Sequence, residues 1–214
     1  MRFSNDAPPQ GDILYVMADR QEYGPSLKAR FTPLFTGVGP VEAAVAVAAH
    51  LAMLEASGHP PKLVVSLGSA GSRRLRQLGV YQATSIAYRD MDASALGFER
   101  GETPFLGLPA VIETGLRRVP GVPAATLSTG ANVVSGKDYD FIDADMVDME
   151  SYAVLRASQR FGLPLVVLRG ISDGASELRE VEDWSRYLHI VGERLAEAVD
   201  RLAAAFAEGA LEGE

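Results

Sequence analysis

LPLVVLRGISDGA, residues 163–175, opens as a greasy strand and ends on a carboxylate. Leu165, Val166, Val167 and Leu168 leave no polar face. A run of that kind fits a parallel strand, because helices cover both faces of such a strand. Arg169, Gly170, Ile171, Ser172 and Asp173 then carry the chain toward the strand's end. Ligands of open α/β sheets bind outside the carboxyl ends of strands, which makes Asp173 a candidate site residue. The competing reading is a cap on the next turn or helix, a common role for Asp.

Outward from this stretch, strands alternate with helices. DILYVMA (12–18), FTPLFTG (31–37), KLVVSLGSAG (62–71), GVYQATSIAY (79–88) and AATLSTG (124–130) read as strands. VEAAVAVAAHLAMLEASG reads as a buried helix opened by Pro40 and closed by Gly58, the usual asymmetry of helix ends. MESYAVLRASQRFG reads as a second helix, with Met149, Ala153, Ala157 and Phe161 every fourth residue. Trp184, Leu188, Val191, Leu195, Val199, Leu202 and Phe206 form one apolar stripe on a long last helix, expected to pack on the sheet. The order predicts an α/β fold: a single three-layer α/β/α domain over residues 1–214 with a central mixed, mostly parallel sheet. Segment 89–107, RDMDASALGFERGETPFLG, has no clear period and is rich in aromatics for a loop. Loops of this length in a compact domain are usually functional or disordered, and the aromatics argue against disorder.

Composition excludes several function classes. The chain has 214 residues, formal charge −8, 47% hydrophobic and 22% charged residues, and no cysteine. The acidity argues against a nucleic-acid partner, which needs basic patches. Without cysteine there is no disulfide, thiol nucleophile or cysteine metal site. His50, His59 and His189 are scattered without metal-ligand spacing, so no metal and no cofactor are expected. MRFSNDAPPQGD is too polar for a signal peptide, and no stretch is long and apolar enough to span a bilayer. The expectation is a cytoplasmic protein with no membrane partner.

Other strand ends also present small or acidic residues. MADRQEYG places Glu22 just beyond the first strand. VVSLGSAG ends in Gly68, Ser69, Ala70 and Gly71, which lets a ligand approach backbone N–H groups and a hydroxyl. It is neither a phosphate loop nor a dinucleotide fingerprint, and a plain tight turn explains it equally well. In DMVDMESYA, Asp148 is a candidate cap, with Met149 and Glu150 in the first helical turn. The functional alternative has Glu150 accepting hydrogen bonds from two neighbouring hydroxyls, as on a ribose, with Met149 against the sugar's apolar face. Asp173 and Glu22 then fit an N-glycosidic cleavage: one acid protonates the leaving base and the other carboxylate activates water, the logic of inverting glycoside hydrolysis.

With these pieces in order, the chain resembles the nucleoside phosphorylase/nucleosidase superfamily, and within it the 5′-methylthioadenosine/S-adenosylhomocysteine nucleosidases. MADRQEYG, TGVGPVEAA, LGSAGS, YRDMDASALGFERG, VDMESYA and LRGISDGA resemble family segments in the family's order. The resemblance implies Asp173 as general acid at the purine N7 and Glu22 at the lytic water or a ribose hydroxyl. It implies Glu150 on the ribose hydroxyls with Met149 against the sugar. Ser69, Ala70, Gly71, Ser172 and Arg169 would line the sugar, water and base region, and Val38 would help close the pocket. Val133 would offer backbone hydrogen bonds to the adenine. Leu96 and Phe98 match positions that reach across a homodimer interface to the substrate's 5′ substituent. The implied partners are a small nucleoside and water.

The chain departs from the family pattern at three places. Asn132 stands where many relatives stack an aromatic ring on the purine, Asp148 is one methylene shorter than the usual Glu, and Arg89 replaces a histidine. Two rival readings remain at this level. A phosphorylase on the same fold needs cations around phosphate; Ser66 stands where phosphate users often carry Arg, and Glu22 would repel phosphate, although Arg20 is near. A non-catalytic nucleoside-binding protein could use the same fold, but would need neither an acid nor a water activator.

Overall fold

The computed structural model describes residues 11–116, 118–174, 184, 185 and 187–211. Its strands are β1 (Ile13–Met17), β2 (Leu34–Phe35), β3 (Leu63–Gly71), β4 (Val80–Tyr88), β5 (Val111–Glu113), β6 (Ala124–Thr129), β7 (Met146–Asp148) and β8 (Leu165–Asp173). The helices are α1 (Pro25–Lys28), α2 (Pro40–Ala56), α3 (Ser151–Arg160) and α4 (Leu188–Ala207).

The apolar run in β8 is continuous because both its faces are covered. Leu165, Val167 and Ile171 enter one core with α2 and α3, while Val166 and Leu168 enter a second core with α4. The alternation follows from successive side chains pointing to opposite faces. Val64 divides from Val65 and Leu67 on β3 in the same way. The expected three layers are therefore present. The predicted stripe on α4 is buried at Leu188, Val191, Leu195, Val199 and Leu202. Gly170 lets α4 come close, since a Cβ there would collide with Val191.

Pairing is mixed and mostly parallel. β1–β2, β1–β3, β3–β8, β4–β6 and β6–β7 are parallel; β3–β7, β4–β5 and β4–β8 are antiparallel. The alternating order did not foretell one feature. Strands β3, β8, β4, β6 and β7 pair in a closed circuit, so the centre of the sheet curls into a small barrel. The carboxyl ends of β3, β7 and β8 meet at one place in this circuit, where Gly71 pairs with Val147 on one side and Asp173 on the other.

Three local expectations need correction. The strand foreseen at 31–37 is only Leu34–Phe35, at the sheet edge. The second helix starts at Ser151, not Met149, so Met149 and Glu150 precede it. Helix α2 buries only one stripe (Ala43, Val47, Leu51, Leu54) and exposes Val41, Val45 and Met53 on its other side. No helix among the described residues is long and apolar enough to cross a membrane.

Candidate active site

A cavity of about 590 Å³ opens where β3, β7 and β8 end. Residues from several distant segments converge on it, and each is placed by a local cause.

Glu22 arrives from the turn after β1. Asp19 accepts a hydrogen bond from the Gln21 amide at 2.8 Å and caps a short 3₁₀ turn, Arg20–Glu22. Glu22 is buried, and its Oε1 accepts from the Ser69 amide at 2.8 Å and the Ser69 hydroxyl at 2.5 Å. Burial raises its pKa, and the two Ser69 hydrogen bonds oppose that by favouring the ionised form. The Ser69 hydroxyl in turn accepts from the Trp184 indole at 2.9 Å. Trp184 is therefore a cavity residue and not the first member of the apolar stripe; α4 begins after it, at Leu188.

Asp173 ends β8. Its Oδ2 accepts from the Ser172 hydroxyl at 2.7 Å, and the Tyr139 hydroxyl lies 3.5 Å from its Oδ1. Burial raises the carboxyl's pKa, partly offset by these two donors. Tyr139 comes from the 3₁₀ turn Gly136–Phe141, and burial followed by the Asp173 charge raises its own pKa. Gly71 makes this meeting possible: a Cβ there would run into the Tyr139 hydroxyl and stand 2.6 Å from Asp173 Oδ1.

Glu150 lies just before α3, where its Oε1 accepts from the Gly39 amide at 2.8 Å. Its pKa is raised to about 7, mainly by burial and then by repulsion from Asp148. Asp148 does not occupy the N-cap foreseen for it, which is Glu150, but its carboxylate accepts from the Ser151 amide at 3.0 Å and the Ser151 hydroxyl at 2.5 Å at the start of α3. It also forms a buried ion pair with Arg169 at 2.9 Å. Arg169 Nη2 donates further to Ser66 and Ser151 at 3.0 and 2.8 Å. Ser66 is buried under Arg169 and does not line the cavity.

The departures Arg89 and Asn132 turn out to touch each other. Arg89 Nη2 donates to the Asn132 carbonyl at 2.7 Å and Nε to its side-chain oxygen at 3.3 Å. Its Nη1 holds the carbonyls of Ser128 and Asp148 at 2.7 and 3.0 Å. Burial lowers the Arg89 pKa despite the carboxylates nearby.

The structure thus gathers Glu22, Val38, Ser69, Ala70, Gly71, Asn132, Val133, Met149, Glu150, Arg169 and Asp173 around one cavity. Three expected site residues are not among its lining. Ser172 is fully buried and donates its hydroxyl to Asp173. Leu96 is 74% exposed on the loop after β4, and Phe98 there packs edge-on against Phe105 at 5.4 Å. Sequence reading missed Trp184 and Tyr139 as neighbours of the two carboxylates.

Comparison with known proteins places the chain in a family. A family model described as Phosphorylase superfamily matches residues 30–204. The chain belongs to this superfamily. A 5′-methylthioadenosine/S-adenosylhomocysteine nucleosidase of Haemophilus influenzae is 26% identical over 190 residues, covering 79% of this chain and 80% of that protein. Two Helicobacter pylori structures share the fold. A 5′-methylthioadenosine/S-adenosylhomocysteine nucleosidase complexed with a substituted pyrrolidin-3-ol has a TM-score of 0.75 at 21% identity, covering 90% of this chain and 97% of that one. A futalosine hydrolase mutant has 0.74 at 21%, covering 90% and 98%. The superfamily and fold expected from the sequence are borne out.

Proposed function

We propose that the chain is a purine nucleosidase that hydrolyses the N-glycosidic bond of 5′-substituted adenine nucleosides, of the methylthioadenosine and adenosylhomocysteine type, and releases adenine. The observation that carries the reading is the placement of two carboxyls with raised pKa on one cavity, Glu22 against Ser69 and Asp173 against Gly71. Ser69 and Gly71 are two residues apart on β3, so the two carboxyls reach the cavity at separate points, as an acid and a base acting on opposite sides of a sugar require.

In this reading Asp173 is the acid. Burial keeps its proton available, and the proton passes to the purine nitrogen as the bond to the sugar breaks, so that the base leaves neutral. Glu22 takes a proton from water as the water adds to the anomeric carbon. Ser69 serves this role by donating two hydrogen bonds that favour the ionised form of Glu22 against the effect of burial and orient the carboxyl. Glu150 accepts from the ribose hydroxyls, with Met149 beside the sugar, and Ala70, Val38, Asn132 and Val133 wall the remainder. Arg169 supports this wall through Asp148. No group in the scheme needs a metal or cofactor.

Phosphorolysis needs cations free to hold phosphate. Arg169 is committed to Asp148, Arg89 holds backbone carbonyls, and the Arg20 guanidinium stacks over Phe35 at 4.4 Å. Water therefore fits the site better than phosphate.

The reading includes a cytoplasmic homodimer. The exposed side of α2 and the exposed Leu96, Phe105 and Leu106 offer apolar surface for a second copy, and Leu96 and Phe98 would complete the partner's pocket at the 5′ substituent. The test of the reaction is turnover of methylthioadenosine and adenosylhomocysteine with and without phosphate. Free adenine and a sugar with a free anomeric hydroxyl, at a rate indifferent to phosphate, are expected. A sugar 1-phosphate would establish the phosphorylase reading instead, and binding without release of base would leave only a nucleoside-binding protein.

A further inference from the structure

A second cavity, of about 300 Å³, lies in the trough between α4 and the entries of β4 and β6. Arg194, Glu197, Ala198 and Arg201 line one side, at steps of three, one and three that place them on one face of α4. Arg76, Gly79, Val80 and Tyr81 form the second side, and Gly121, Val122 and Pro123 the third. It shares no lining residue with the nucleoside cavity.

The charge in this trough runs against the charge of the molecule. The chain carries 28 acidic and 20 basic residues, so carboxylates to neutralise an arginine are plentiful. Arg30, Arg73 and Arg100 each have one. Arg76, Arg194 and Arg201 have none among the described residues, although all three line the same cavity, and Glu197 is its one acidic lining residue. Two of the three are also fixed in place. Arg194 Nη1 donates to the Leu78 carbonyl at 2.7 Å, and Arg201 Nη1 donates to the Gly121 carbonyl at 3.1 Å. A guanidinium has five N–H donors in a planar fork, so each of these anchors leaves further donors for a ligand. Anchoring before binding also reduces the side-chain ordering that a ligand must offset.

We propose that this trough is a binding site for the phosphate group of a small phosphomonoester. Three guanidinium groups against one carboxylate leave two positive charges, which match a phosphate dianion. Its oxygens can each accept from a different fork, as a single carboxylate's two oxygens cannot. Val80, Val122, Pro123, Ala198 and the Tyr81 ring supply an apolar floor for the ester's body, and 300 Å³ is at the small end of ligand pockets, which suits a pentose-sized group. The site also has a short structural route to the other cavity. Leu78, held by Arg194, donates its amide to the Ile171 carbonyl at 2.7 Å, and the Gln77 side chain donates to the Ser172 carbonyl at 3.1 Å, one residue before Asp173. The binding claim is independent of the proposed hydrolysis and is tested without it.

The experiment is calorimetric titration of the full chain at low salt with inorganic phosphate, ribose 5-phosphate and, as control, ribose. Both phosphates are expected to bind saturably and ribose not at all. Tighter binding of ribose 5-phosphate assigns the site to an ester, and equal binding assigns it to free phosphate; both support the phosphate chemistry. Arg76→Gln and Arg201→Gln, both exposed positions, are each expected to weaken binding about tenfold, the scale of one charge-assisted hydrogen bond, while melting as the parent does. Glu197→Gln is expected to tighten it by removing the carboxylate. Absence of saturable phosphate binding, or binding unaltered in all three variants, overturns the assignment.

Discussion

Arg169 and Asp148 form an ion pair of 2.9 Å with side chains only 2% and 1% exposed. The pair joins β8 to β7 within the cavity lining, and Asp148 also accepts from the Ser151 amide at the start of α3. Its members cannot be removed singly without cost. Truncating one leaves the other charged, desolvated and unopposed, whereas losing both together need cost little.

Arg169→Met is therefore expected to destabilise the fold by about 3–5 kcal/mol, and Arg169→Met with Asp148→Leu to recover part of that loss. Chemical denaturation of the two variants checks this. A single variant as stable as the parent would show that the pair contributes nothing.

Raised carboxyl pKa values set a direction for stability against pH. Glu150 is pushed from 4.5 to about 7, and Glu22 and Asp173 are raised too. The folded state then holds these protons more tightly than the unfolded chain. The stabilisation is complete below the ordinary carboxylate range and is lost as pH climbs through the folded values, about 7 for Glu150. The ligand-free melting temperature should fall over this window, and less steeply in Glu150→Gln. Parallel curves for parent and variant would contradict the burial of Glu150 as its cause.

The same residue predicts a binding effect. An ionised carboxylate at position 150 can accept charge-assisted hydrogen bonds from a diol, while glutamine offers one acceptor and a mismatched donor. Glu150→Gln should raise KM for nucleosides with an intact ribose diol, and have far less effect on analogues lacking one hydroxyl. Parent KM should improve as pH rises through about 7, because the anion is the binding form. A residue serving only the helix end would alter stability by roughly 0.3–1 kcal/mol and leave KM unchanged.

Val45 is 61% exposed on the outer face of α2, and Leu96 is 74% exposed. If a second copy covers them, Val45→Glu should shift the protein to monomer in sedimentation, and Leu96→Ser should raise KM for substrates with a 5′ substituent. A monomeric parent with full activity would defeat the dimer.

How far these features could be read from the sequence depends on whether the cause is local. β8 was legible because burial on two faces leaves a run of four apolar residues, Leu165 to Leu168. Glu22, Glu150 and Asp173 were legible because strand ends and family segments mark them. The closed circuit was not, since the β4–β8 pairing depends on partners roughly ninety residues apart in the chain, such as Val80 and Gly170. Trp184 was misassigned because it lies four residues before Leu188, a spacing that a helical stripe also satisfies. Its hydrogen bond to Ser69 has no local signal. The same holds for Tyr139, whose partner Asp173 is distant in sequence. The strand foreseen at 31–37 shrank because it sits at the sheet edge and contains Pro33, which has no amide to donate.

Asp173 offers the most direct test of the chemistry. Adenine leaves poorly as an anion and well once a ring nitrogen is protonated, so the acid has to hold its proton until the bond breaks. Burial raises the Asp173 pKa, and the Ser172 hydroxyl at 2.7 Å fixes one oxygen and leaves the other near Tyr139. Asparagine keeps the shape and can still accept from Ser172, but has no proton to transfer. Asp173→Asn is therefore expected to fold and bind substrate while its single-turnover rate falls about 10²–10⁴-fold, the usual reach of general acid catalysis. That is roughly 3–5 kcal/mol of transition-state stabilisation. The loss should be smaller for substrates whose leaving base is already a good anion, because they depend less on protonation. If Asp173 only capped the turn after β8, asparagine, an equally good cap, would leave both melting temperature and rate near those of the parent. A melting curve beside a single-turnover rate on one preparation separates the two roles: a stable, slow variant supports the acid, and a stable, fast one removes it.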